Sequence, residues 1–219
     1  MNSFIDTNVS IAYTFLIDPL NHNSSNLFKK YVLIFWSYFV KWEFDKVFIS
    51  KKGVLVKFYK KLWGDLKKNN FIGFTLSDLK RYVKEGNYIK KDYKQIESSL
   101  SSFWEKYVDE SFPSLSSLET AIILCLMDLM IVSYTRKNDL ENRVLFADER
   151  IEEYPSLKNQ LSLNGLHPSD IKVILDAHDH NLKTSYDLDF ITFDKDCYDC
   201  AKANDFSFHD VKYKWDFVF

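Results

Sequence analysis

Two short apolar runs near opposite ends of the chain each stop at a carboxylate: Phe4-Ile5-Asp6-Thr7-Asn8 and Asp189-Phe190-Ile191-Thr192-Phe193-Asp194-Lys195-Asp196. Runs of this kind read as β-strands. In an open α/β sheet, ligand chemistry lies just beyond the carboxyl ends of parallel strands. A fold that places these two strands in one sheet therefore brings acids from distant parts of the sequence to one rim. Clustered carboxylates resist ionising together because each raises its neighbours' pKa, and a bound divalent cation relieves that cost. The pattern points to a Mg²⁺ or Mn²⁺ site.

The intervening sequence alternates between strand and helix character. A helix follows residues 3–6, capped by Thr7 or Asn8 and stopped at Asp18-Pro19. Residues 27–42 read as a second helix, and Lys46-Val47-Phe48-Ile49-Ser50 reads as a second strand followed by a helix over 52–67. Asn69 to Gly73 reads as a turn, and 76–110 as charged helix. Pro113 and the Ser114–Ser117 cluster precede an apolar helix over 118–135. Arg143 to Ala147 is a third strand ending at Asp148, and residues 188–193 are a fourth. A short helix over Cys197–Ala203 and a last strand near Phe206-Ser207-Phe208 complete the pattern. Strands separated by helices imply an α/β fold with a central, mainly parallel sheet in three α/β/α layers. The expectation is one domain over 1–219, carrying a helical insertion at 76–135.

With 46% hydrophobic and 17% aromatic residues, the chain has ample material for a core. The first residues lack the basic and apolar regions of a secretory signal. The most apolar stretches, Tyr31 to Val40 and Ala121 to Val132, read as core helices rather than membrane spans, the first being too short and the second interrupted by Asp128. These features predict a cytoplasmic protein with no membrane partner. The net charge of −2 conceals an asymmetry. Lys51 to Lys94 holds 13 Lys and Arg against 4 Asp and Glu, whereas Asp139 to Asp210 holds 7 against 16. A basic region that grips phosphates and an acidic region that holds metal suit an enzyme cleaving a polyanion.

The order of these elements and acids resembles the PIN-domain family of metal-dependent ribonucleases, which includes toxins of the VapC type. The resemblance lies in Asp6-Thr7-Asn8, in Pro168-Ser169-Asp170-Ile171-Lys172-Val173-Ile174-Leu175-Asp176-Ala177, and in Phe190-Ile191-Thr192-Phe193-Asp194-Lys195-Asp196. It covers about 1–66 and 140–209. It implies that Asp6, Asp170 and Asp194 hold Mg²⁺ or Mn²⁺, with Asp196 as a further catalytic acid. Asn8 and Thr192 would orient carboxylates or water. RNA is the implied substrate. Lys51, Lys52, Lys57 and Lys60 are the expected contacts to its backbone. The family further implies an antitoxin-like protein partner and a homodimer.

In one place the chain departs from the family pattern. The family carries a Glu in the helix after its second strand, a few residues past a Ser such as Ser50. Counting from Ser50 gives Val56 and Lys57 instead. Asp148 is then the candidate substitute, with Glu43 a poorer one because it precedes the expected strand. This departure supports a second reading, a catalytically inactive PIN-like scaffold that binds RNA or a protein partner. Cys197-x-x-Cys200, with His178 and His180, has zinc-like residue types, but the two pairs are expected at opposite ends of the sheet. Asp176 is expected to be exposed, since six residues past Asp170 it lies on another face of the helix.

Overall fold

In this computed structural model the described residues are 1–68, 75–86, 89–108, 113–184 and 186–218. The expected turn over Asn69 to Gly73 lies outside them. The chain forms two compact units. The first comprises 1–13, 22–46 and 138–219, and the second 14–21 and 47–137.

The first unit is built on a five-stranded, wholly parallel sheet. Its strands are β1 (Asn2–Ile5), β2 (Leu33–Trp36), β3 (Val144–Phe146), β4 (Leu188–Ile191) and β5 (Asp210–Lys212). They stand in the order β3-β2-β1-β4-β5. Around them run α1 (Thr7–Thr14), α2 (Asn21–Lys30), the start of α3 (Tyr38–Lys67), the end of α7 (Ser133–Arg143), α8 (Pro155–Leu163), α9 (Pro168–Thr184) and α10 (Lys195–Ala203). β4 is buried at every position, and β1 at all but its first. Strands without an exposed face are those of a parallel sheet covered on both sides. This is the expected α/β architecture. The progression of strands reverses between β1 and β4, and the crevice beyond their carboxyl ends is where such sheets hold ligands.

Three expected elements are corrected. Residues 33–36 form β2, whereas the sequence reading placed a helix over 27–42. Residues 46–50, expected as the second strand, lie inside the 30-residue helix α3. Val47, Phe48 and Ile49 have local β-propensity, but long-range burial decides the outcome. Phe44, Phe48, Leu55, Tyr59, Leu62 and Leu66 recur at helical spacing and are all buried. The last strand falls at 210–212 rather than at 206–208. The rings of Phe206 and Phe208 pack around His178 instead.

The second unit contains the rest of α3, α4 (Leu76–Glu85), α5 (Lys90–Phe103), a π-helical turn at Trp104–Val108 and α6 (Leu115–Met127). A π-helical stretch, Asp128–Val132, joins α6 to α7 in one run, Leu115–Arg143. Ser114 caps α6 by accepting from the Ser117 N–H. By length and composition this run is apolar enough to cross a membrane. It was expected to be a core helix, yet only 33% of its most apolar window is buried. Leu118, Ala121, Ile122, Cys125 and Leu129 face inward, while Ile123, Leu124, Met127, Met130, Ile131 and Tyr134 remain exposed.

Phe190 tests the central packing of the sheet. It is fully buried, stacks on Phe208 at 5.2 Å between centroids and lies 6.5 Å from Phe4. Phe190→Ala is expected to cost about 3–5 kcal/mol through lost burial and the cavity left behind, as measured by urea unfolding.

Candidate acidic site

Asp6 is the first residue past β1, and its N–H donates to the Ile191 carbonyl at the end of β4 (3.1 Å). The side chain is only 6% exposed. Its Oδ1 accepts from the Thr7 N–H, and its Oδ2 accepts from Asn8 Nδ2 (2.9 Å) and Thr192 Oγ1 (2.8 Å). Asn8 also reaches the other strand, its Oδ1 accepting from the Phe193 N–H at 2.9 Å. Thr192 Oγ1 accepts from the Asp194 N–H at 3.0 Å, and Asp194 Oδ1 caps α10 by accepting from the Cys197 N–H at 3.0 Å. Asn8 and Thr192 thus both donate to the buried carboxylate of Asp6.

Glu43 is the acid that sequence reasoning undervalued. It lies in the first two turns of α3, six residues past Ser37, which itself follows β2. Thr7 Oγ1 donates to Glu43 Oε2 at 2.6 Å. One threonine therefore joins Glu43 to the loop that carries Asp6. The misplaced second strand is what obscured this residue. Glu43 stands six residues past Ser37, the same distance as Val56 stands past Ser50.

Asp170 occupies the first turn of α9 and is half-buried. It communicates with the group through charge. Burial raises the Asp170 carboxyl above its ordinary value, and the charges of Asp194 and Glu43 raise it further, partly offset by His167. Asp6 is pushed up to about 7. Burial is the largest cause, opposed by the hydrogen bonds from Thr192 and Thr7 and reinforced by Asp170 and Glu43. The thiol of Cys197 is buried against the same acids and is held well above its ordinary value, first by burial and then by Asp6, Asp170 and Asp194. The charges of Glu43 and Asp170 thus bear on Asp6, and those of Glu43 and Asp194 on Asp170. Among the described residues, no three His, Cys, Asp or Glu side chains form a ready set of metal ligands.

The remaining expected residues fall elsewhere. Asp196 is exposed in the first turn of α10. Asp148 is exposed beyond β3 and lines a cavity of about 190 Å³ with Ser37, Arg150, Lys172 and Asp176. Asp176 is not exposed as expected. It is buried and paired with Arg150 Nε at 2.9 Å. His178 Nδ1 accepts from the Ser207 N–H at 3.0 Å, and His180 packs on Phe35 at 4.7 Å. His209 contacts the buried carboxylate of Asp189 at 2.9 Å, which the sequence did not indicate.

The four lysines read as RNA contacts all lie on α3. Lys51 is committed to an ion pair with Asp18 at 2.5 Å in which both side chains are largely covered. Lys52 places its ammonium over the Tyr134 ring at 3.6 Å, and Lys57 and Lys60 line an apolar groove.

The raised Asp6 carboxyl sets the sign of a pH effect. Between its ordinary value of 3.8 and about 7, the folded protein holds a proton that the unfolded chain has released. Stability contributed by this group is therefore present below pH 4 and declines as pH rises towards 7, by at most roughly 1.4 kcal/mol per pH unit. In EDTA, urea unfolding is expected to show Asp6→Asn with a flatter pH profile than the parent and greater stability at pH 8.

Comparison with protein-family models, curated proteins and solved structures finds no match to this chain.

Proposed function

We propose that the chain is a metal-dependent endoribonuclease of PIN type that hydrolyses RNA phosphodiester bonds at the Asp6–Glu43–Asp170–Asp194 group. The observation that carries this reading is Glu43. With β2 at Leu33–Trp36, the helix after the second strand holds a glutamate six residues past a serine, tied through Thr7 to the loop bearing Asp6. The family resemblance asks for a Glu there, and the departure inferred at Val56 and Lys57 came from the wrong strand. The reading is further supported by the wholly parallel sheet with the acids beyond the ends of β1 and β4.

The donor set fits Mg²⁺ or Mn²⁺. It consists of carboxylate oxygens, which hard divalent cations prefer. Asp6 and Asp170 are both held above the ordinary carboxylate value, first by burial and then by neighbouring acids, and a bound cation would offset that cost of ionisation. Mg²⁺ commonly retains several waters and uses only one or two direct carboxylates. An acidic field without three converging ligands suits that mode. When bound, the ion would supply Lewis-acid stabilisation and acidify water.

The protein's own contributions follow from its hydrogen bonds. Asn8, Thr192 and the Thr7 N–H hold the Asp6 carboxylate in one orientation, and Thr7 Oγ1 holds Glu43. Asp194 has one oxygen fixed as the cap of α10. Asp196, exposed one turn into the same helix, is the group assigned to accept a proton from water at the rim. The inactive-scaffold reading rested on Lys57 replacing the glutamate and loses that support.

The test uses labelled single-stranded RNA with Mn²⁺ or Mg²⁺. Cleavage is expected to be abolished by EDTA and to fall about 100-fold or more in Asp6→Asn and Glu43→Gln. Independently of turnover, Mn²⁺ is expected to raise the unfolding midpoint of the parent but not of Asp6→Asn. An Mn²⁺-insensitive midpoint with no cleavage, and salt-sensitive RNA binding unchanged in Asp6→Asn, would transfer the assignment to a non-catalytic scaffold.

A further inference from the structure

The second unit carries a feature unrelated to the acids. α3 and the Leu115–Arg143 run both line an apolar groove of about 510 Å³. On α3 the row is Ile49, Gly53, Val56 and Lys60, spaced four, three and four residues apart. On the Leu115–Arg143 run the lining residues are Met130 and Tyr134, and the exposed Ile123 and Met127 extend their spacing beyond the groove. Ile49 is 67% exposed, Met127 50% and Ile131 60%. Each row spans about three helical turns, roughly 16 Å. The π-helical stretch Asp128–Val132 lies within this edge, and such interruptions often accompany functional surfaces.

The rim is basic. Lys52, Lys57 and Lys60 all line the groove, and no Asp or Glu occurs between Ser50 and Asp65. Gly53 lies among the lining residues, with nothing within 4 Å of where its Cβ would project. A glycine inside a helix ordinarily costs about 0.5–1 kcal/mol relative to alanine. Here the position has room for a side chain, so internal packing does not require the glycine. Its absent side chain keeps the groove open.

We infer that this groove seats an amphipathic helix of three to four turns from a partner protein, apolar along one face and acidic at its flanks. Two helical faces, apolar apart from the lysines at the rim, are completed by a third helix, the helix-in-groove mode of recognition. The lysine rim selects the charge of the incoming flanks. A second copy of this chain would bring its own Lys52, Lys57 and Lys60 to the same rim. A bilayer presents a broad surface rather than a ridge that enters a groove.

The test uses two labelled 18-residue helical peptides with leucines at i, i+3, i+4 and i+7, one with glutamate flanks and one with lysine flanks. The parent is expected to bind the glutamate peptide at least tenfold more tightly, and Lys57→Glu/Lys60→Glu to invert that preference. Gly53→Leu is expected to weaken binding at least tenfold without lowering the unfolding midpoint, which separates groove filling from misfolding. Equal binding of both peptides, or a preference unchanged by charge reversal, overturns the proposal. So does sedimentation with phosphatidylglycerol vesicles that Ile131→Glu abolishes, a dimer dispersed by Gly53→Leu, or displacement of the peptide by single-stranded RNA. These three outcomes assign the face to a membrane, a second copy and a nucleic acid respectively.

Discussion

The acidic site depends on one buried carboxylate that joins two strands. Asp6 and Asn8 leave the end of β1, and Thr192 and Phe193 leave the end of β4. Three hydrogen bonds across this seam hold the pair together, Asp6 N–H to Ile191 O, Thr192 Oγ1 to Asp6 and Phe193 N–H to Asn8, and Asn8 also donates to Asp6 on its own side. A buried acid without such partners would be costly. Here the partners fix its orientation, and burial with neighbouring acids keeps its ionisation expensive. The carboxylate is therefore held in one orientation, while burial keeps Asp6 and Asp170 above the ordinary carboxylate value.

Several parts of this arrangement were legible in the sequence. The strands at β1, β3 and β4 stood out as short apolar runs, and Asp6, Asp170 and Asp194 stood at the element boundaries where the structure also has them. Glu43 was not legible for a specific reason. Leu33–Trp36 and Val47–Ile49 both carry β-favouring residues, and local preference could not choose between them. The deciding signal was periodic burial from Phe44 to Leu66, visible only when the whole 30-residue window is considered as one helix. An error of one strand moved the counted position from Glu43 to Val56, thirteen residues along the same helix.

The groove was hidden by a different ambiguity. The helix over 118–135 is apolar on nearly all sides, so its pattern does not distinguish an inward face from an outward one. The lysines of α3 were visible as a charge excess and were assigned to phosphate. The structure gives them distinct surroundings. Lys51 is held by Asp18, while Lys52, Lys57 and Lys60 border apolar surface. A count of charges does not reveal whether each cation faces a polyanion, an internal acid or a hydrophobic rim.

The strand order also constrains when the acidic site can exist. β1 pairs with β4, and their registered residues, Asn2 with Leu188 through Ile5 with Ile191, are separated by almost the whole intervening sequence. Pairings of such long range form slowly and late. During synthesis on a ribosome, Asp6 emerges early but gains Thr192 and Asp194 only after translation has passed residue 194 and those residues have cleared the exit tunnel. Any catalytic power in this acidic group is thus withheld from incomplete chains. The helical unit, encoded between the two strands, has time to fold before the acids are assembled.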